Sequence, residues 1–350
     1  MELYRHVLGC MLGSAVGDAV GLRREGLSRQ RALRLYGGPP LAPSLVFGLG
    51  FCSDDTEHTH MVARALALSG GQTSDFERQL AADLKKWLVT LPAGAGLATL
   101  RACFKLLLGF GPRRSGVFSA GNGPAMRSAL IGIFAQSENA MVELVRASTR
   151  ITHTDPKAEA GALLVARAAR LGRGDATGGP SEFIAAAAYA LSETELGATL
   201  LSAAQALADG RSCLEFAQSQ GWSRGVGGYV NQTVPAALYC WARSPHDFRE
   251  CVESAVMLGG DTDSVAAITG AICGANLGSD AISSDWIERL AEWPRTTDWV
   301  RRLAREVSEA AEKQTATNPP PMYWTATLGR NALFAAVVLT LGFRRLLPPY

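Results

Sequence analysis

The chain has 350 residues, 47% of them apolar with Ala and Leu foremost, and 34 basic against 32 acidic side chains, for a formal net charge of +2. That length can bury one large core or two small ones. Charges of both signs are interspersed, without a basic stripe carrying aromatics, which argues against nucleic acid as the main partner.

Stretches rich in Ala and Leu, with apolar residues at three- and four-residue intervals, follow one another along the chain. Ala and Leu lose little entropy in a helix, and no alternating β-branched run with hairpin turns occurs, so the predicted fold is all-α. The first apolar segment, 7–20, is preceded by Glu2 and interrupted by Asp18, unlike an export signal. It leads into Gly17-Asp18-Ala19-Val20-Gly21-Leu22-Arg23-Arg24-Glu25, where Asp18 could brace a helix and Glu25 could be an ordinary solvated side chain.

Ser53-Asp54-Asp55-Thr56 stands at the entrance of a predicted helix over 56–68, and one of these residues is expected to cap it. Two adjacent carboxylates exceed what a cap needs, and a bound cation would relieve their repulsion. After a helix over 75–91 and a loop over 109–116 comes Ser119-Ala120-Gly121-Asn122-Gly123-Pro124-Ala125-Met126-Arg127. Such a glycine-rich junction is either an ordinary turn or a phosphate cradle. His153 lies in Thr152-His153-Thr154-Asp155-Pro156, with Asp155 as expected N-cap and Pro156 in the first turn of the next helix, 158–171. A glycine-rich loop over 172–180 and helices over 193–208 and 248–258 follow.

Gly259-Gly260-Asp261-Thr262-Asp263-Ser264 then opens a helix over 265–277 and offers two carboxylates and two hydroxyls, the oxygen ligands that hard cations take. Two oxygen-rich clusters at helix entrances make a two-metal centre plausible. Small residues line the helices at 158–169 and 266–275, as close backbone packing requires. The helical domain is expected over 1–313, with a proline-rich linker over 314–321 and a C-terminal apolar segment over 322–350. The apolar run 332–343 is short of the ~18–20 residues that a spanning helix needs; its flanking Arg330, Arg344 and Arg345 leave a membrane-peripheral reading open, and a buried or capping helix is expected rather than a membrane span. The seven cysteines are scattered and form no C-x-x-C pair. They are expected as reduced core residues of a cytoplasmic, monomeric protein.

Taken together and in order, these motifs, with Gly228-Tyr229-Val230 and the run 233–238, resemble the ADP-ribosylglycohydrolase family over roughly residues 5 to 280. The resemblance implies a compact orthogonal bundle of helices with a dinuclear Mg²⁺ (or Mn²⁺) site in a central cleft. By the same resemblance the metal ligands would be Ser53, Asp54, Asp55, Asp261, Asp263 and Ser264. Glu25 would act near the scissile bond as general base or proton shuttle, with Asp54 and Asp261 also catalytic. Gly121, Asn122, Gly123 and His153 would line the groove for the diphosphate and ribose.

The implied activity is hydrolysis of the bond between ADP-ribose and an acceptor, on a modified protein or a small conjugate. The alternative is a relative that binds ADP-ribose without cleaving it. The acceptor (arginine, serine or an O-acetyl ester) stays open, because the motifs are common to all. This chain departs from the family in having Ser53 where many members have Thr, and in the histidines of Glu57-His58-Thr59-His60, which carry no assigned role.

Overall fold

Small side chains decide the centre of the molecule. The computed structural model describes residues 2–174 and 178–346, so part of the 172–180 loop lies outside the described residues. Among the helices that build the core and its cleft are α1 (Glu2–Gly21), α2 (Arg29–Tyr36), α3 (Asp54–Ser69), α4 (Thr73–Val89), α5 (Pro156–Arg170), α6 (Val230–Arg243), α7 (Thr262–Leu277), α8 (Thr297–Lys313) and α9 (Trp324–Arg345). Among the described residues there is no β-sheet, only isolated bridges. The all-α expectation holds.

Helices α1 and α7 run antiparallel with their backbones in direct contact. Gly9, Gly13, Gly17 and Gly21, four residues apart, face Gly274, Gly270, Ala266 and Thr262 in turn. A Cβ at Gly13 would lie 2.1 Å from the carbonyl oxygen of Gly270, and one at Gly17 would lie 2.1 Å from that of Ala266. Residues 7–21 of α1 and 262–275 of α7 are buried. This pairing has a consequence for the site. It sets the C-terminal end of α1, with Asp18, beside the N-terminal end of α7, with Asp261 and Asp263.

Helix α3 is tied to the same place through Asp18, whose carboxylate accepts from the Ser53 and Thr56 N–H groups (2.9 and 3.2 Å) and the Thr56 hydroxyl (2.6 Å). Both acidic clusters thus sit at helix N-termini, where the helix dipole offsets part of their charge. Glu57, one turn further into α3, is buried in an ion pair with Arg295 and accepts from Trp87 Nε1 at 2.6 Å. Removing one partner of a buried pair strands the other charge. Glu57→Ala is therefore expected to destabilise the fold by ~3–5 kcal/mol, and the Glu57→Leu/Arg295→Met double variant by less, as measured by denaturant unfolding.

The histidines of this stretch also face the bundle. His58 Nδ1 lies 2.8 Å from Arg127 Nη1, and the His60 ring packs edge-on against Trp299. Burial first, then the Arg127 and Arg295 guanidinium groups, hold both imidazoles neutral, His58 well below its ordinary pKa and His60 down to about 3.

The proline-rich segment lies strapped to the domain. The Thr317 N–H donates to Ala67 O (2.9 Å), and Trp299 Nε1 donates to Pro321 O (3.0 Å). Of the two readings of 332–343, buried or capping, the buried one is corrected: the run lies inside the 22-residue α9, which packs on the domain by one face only and is long and apolar enough to cross a membrane by length and composition. Thr327, Arg330, Asn331 and Phe334 of this helix are buried; Leu328, Leu333, Leu339 and Phe343 are exposed.

Candidate functional site

Where the ends of α1, α3 and α7 meet, a cleft of about 350 Å³ opens. Glu25, Asp54, Asp55, Asp261, Asp263 and Ser264 line one side, and Gly121, Asn122, Gly123 and His153 line another. Residues separated by more than two hundred positions thus share one cavity. Ser53 stands behind this surface; its hydroxyl lies 3.0 Å from Asp55 Oδ2 and caps the Asp55 N–H of α3. A second cavity of similar size is bordered by Glu77, Arg113, Arg146 and Arg150. Its arginines already pair with Glu77 and Glu159, so it presents no comparable unmet demand.

Capping explains only part of the acidic clusters. Asp261 occupies the N-cap position of α7, yet its carboxylate caps nothing and accepts instead from Asn122 Nδ2 at 2.7 Å. Asp55 Oδ2 accepts from the hydroxyl groups of Ser53 and Ser264, both at 3.0 Å, and so joins α3 to α7. The other oxygens, Asp55 Oδ1 and Asp263 Oδ1, are buried without a hydrogen-bond partner. Buried polar atoms are costly when unpaired, so two such oxygens in one cluster call for a ligand.

Carboxylate oxygens of Asp18, Asp55 and Asp263 all lie within 4.8 Å of one another. Burial, then mutual repulsion, pushes the carboxyl groups up. Asp54 rises to about 8, Asp55 and Asp263 go well above their ordinary range, and Glu25 rises to about 6 through burial and the neighbouring Asp261. Carboxylates crowded in low dielectric either take up protons or bind a cation. A donor set of oxygens alone, without His or Cys, suits a hard divalent ion.

Opposite the carboxylates, Asn122 serves the site in a way its motif did not reveal. Its side-chain amide holds Asp261, and its backbone N–H donates to Gly228 O at 3.0 Å. A Cβ at Gly121 or Gly123 would come within 3.2 and 3.1 Å of the His153 ring, so glycine lets the loop lie against the imidazole. His153 Nδ1 is 2.9 Å from the Thr152 hydroxyl. Burial and then Arg127 lower its pKa to about 3, leaving a neutral ring.

The sequence reading missed two contributors. Asp18 braces α3 rather than its own helix; the only local signal was its place in the Gly17–Glu25 motif. Gly94, in a loop, and Leu97 and Thr99, in the first turn of the helix Leu97–Leu107 that follows it, complete the rim from a stretch that carries no motif.

The model of the ADP-ribosylglycohydrolase family matches residues 1–317. An uncharacterized protein of Archaeoglobus fulgidus is 34% identical, over 86% of this chain and 95% of its own. The ADP-ribosyl-[dinitrogen reductase] glycohydrolase of Rhodospirillum rubrum is 26% identical, over 83% and 91%. A solved structure, an ADP-ribosylglycohydrolase-related protein complex, superposes with a TM-score of 0.64 at 26% identity, covering 89% of this chain and 99% of that one.

Proposed function

The chain belongs to the ADP-ribosylglycohydrolase family and is a hydrolase, and from that premise we propose that it releases ADP-ribose from a modified acceptor in a metal-dependent reaction. The observation that carries this reading is the pair of buried, unpartnered carboxylate oxygens, on Asp55 and Asp263, beside a cleft with a glycine loop opposite. Asp54, Asp55, Asp261 and Asp263, with the hydroxyls of Ser53 and Ser264, are the residues that would hold two Mg²⁺ or Mn²⁺ ions. Such ions, when bound, supply Lewis-acid polarisation and fix the orientation of oxygen groups.

The chain's own residues do the rest. Hydrolysis breaks the bond between the anomeric carbon and the acceptor heteroatom. The oxygen of water joins the carbon, and a proton passes to the leaving group. Glu25 lines the cleft with a carboxyl pKa pushed up to about 6. It can take a proton from water and return it to the acceptor near neutral pH. The developing positive charge on the sugar ring is met by the surrounding carboxylates. Gly121, Gly123 and the neutral His153 form the wall that receives the diphosphate and ribose, where missing side chains let a ligand approach the backbone. Asn122 keeps Asp261 in place. The seven described cysteines are all buried and free, which supports a reducing compartment such as the cytoplasm.

Arginine-linked, serine-linked and O-acetyl ADP-ribose, incubated with Mg²⁺ or with chelator and followed by mass spectrometry, test the proposal and select the acceptor. Release of ADP-ribose from at least one substrate, lost in chelator, is expected; turnover unchanged by chelator would overturn the metal dependence. Asn122→Ala removes a hydrogen bond to a charged group, typically ~1.5–3 kcal/mol. It is expected to lower kcat roughly 10- to 100-fold, with the helical content kept and the unfolding midpoint lowered by several degrees at most.

A further inference from the structure

Helix α9 lies beyond the residues matched by the family. It is bound to the domain at both ends. Arg330 is buried in an ion pair with Glu292 and donates to Cys52 O at 2.6 Å, and Asn331 Nδ2 donates to Thr90 O at 3.1 Å. At the other end Arg345 donates to the carbonyls of Arg23 (2.8 Å) and Glu25 (2.9 Å). The helix therefore lies along the surface, held there by polar contacts that a membrane-crossing position would break.

Its outward face is apolar. Leu339 and Phe343 are 63% and 69% exposed, and Leu328 and Leu333 are exposed along the same helix. Exposed apolar groups adjoin it: Trp293 packs beside Gly329, and Val89 and Leu91 flank Thr90. Soluble surfaces seldom carry a contiguous apolar patch of this kind without a partner.

The charge around α9 identifies the partner. Arg344 and Arg345 end the helix, and Arg31 of α2, which also carries Arg29 and Arg34, bonds the carbonyl of Arg345. Residues 26–53 and 314–346, which supply α2, the 43–51 loop and α9, contain no Asp or Glu. A helix with an exposed apolar face, an arginine-rich end and a neighbouring tryptophan has the build of an interfacial helix lying in an anionic lipid surface. Pairing with a second copy would set one basic face against another, with no carboxylate in these segments to offset it.

We propose that α9 and α2 form a docking face for an anionic phospholipid bilayer, with the apolar face of α9 in the headgroup boundary and the positive charge of the arginine-rich end, where Arg345 stays bound to the domain, drawn to the lipid phosphates. The face adjoins the cleft, since Arg345 holds the backbone of Glu25. Ala93, next to the cleft-lining Gly94, packs in the same apolar cluster as Phe334, Val337 and Leu341.

Flotation of the full chain with phosphatidylcholine vesicles, with and without phosphatidylglycerol, at low and high salt tests this. Binding to the anionic vesicles that weakens with salt is expected. Leu339→Asp/Phe343→Asp, at two exposed positions, is expected to lower it at least ~10-fold with circular dichroism and unfolding midpoint unchanged. The proposal is overturned by failure to float with anionic vesicles, whether the chain is a monomer or a dimer that the double variant dissociates. Equal binding to neutral vesicles, or equal binding by the variant, would overturn it too.

Discussion

Asp55→Asn is expected to lower kcat/KM for ADP-ribose release by on the order of 10²–10³-fold or more while the folded state persists. The substitution is isosteric and leaves oxygen and nitrogen atoms within reach of the Ser53 and Ser264 hydroxyls, so the join between α3 and α7 survives. What disappears is a negative charge in a cluster where Asp18, Asp54 and Asp261 already repel it. The consequences for activity and stability should therefore have opposite signs. Without divalent cation the variant should unfold at or above the temperature of the parent, because a repulsion has gone. With Mg²⁺ the parent should gain stability by mass action and the variant much less. Calorimetric scans with Mg²⁺ and with chelator, beside the turnover assay, read both. A variant as active as the parent, or equally stabilised by Mg²⁺, would remove Asp55 from the site. Opposed effects of this kind are usual where a fold holds like charges together for function.

The second large effect concerns the helix pair beneath the site. Gly13→Ala adds a methyl group 2.1 Å from the Gly270 carbonyl oxygen, a backbone atom that cannot yield as a flexible side chain would, with the Phe248 ring at 3.3 Å beside it. Helices α1 and α7 would have to separate along their length. Overpacking of this kind costs ~1–3 kcal/mol and occasionally more; with backbone as the obstacle, the upper end is expected. Tm should fall by roughly 5–10 °C, taking ~2–4 °C per kcal/mol. Activity should fall further than the folded fraction, because Asp18 and the Asp261–Asp263 run are placed by this contact. Gly111→Ala, with open space around it, is the control and should change little. A Gly13→Ala variant with unaltered Tm would show that the two backbones do not pack as described.

The helices and both acidic entrances were legible in the sequence for a local reason. Helical period, N-caps and Gly or Pro stops act over a few residues, so 158–171 and 265–277 read nearly as they fold, into α5 and α7. The motif residues of the cleft were legible only in combination: each of Glu25, Asn122 and His153 has an ordinary structural reading alone, and the ordered set points to one family. The apolar run 332–343 does not by itself tell a buried helix from one that caps the surface. Exposure depends on what packs against a helix, and only four of its 22 residues are buried.

By itself, then, the amino-acid sequence determined an all-helical chain, the oxygen-rich donor sets and the family, since these rest on short-range periodicity and ordered motifs. Tertiary structure alone decided that Asp18 organises α3, that Asn122 holds an aspartate 139 positions away, that Glu57 pairs with Arg295, and that α9 turns an apolar face outward. Each of these is a contact between groups distant in the chain. Such contacts are set by how close glycine-lined backbones can approach, and no local pattern encodes that distance.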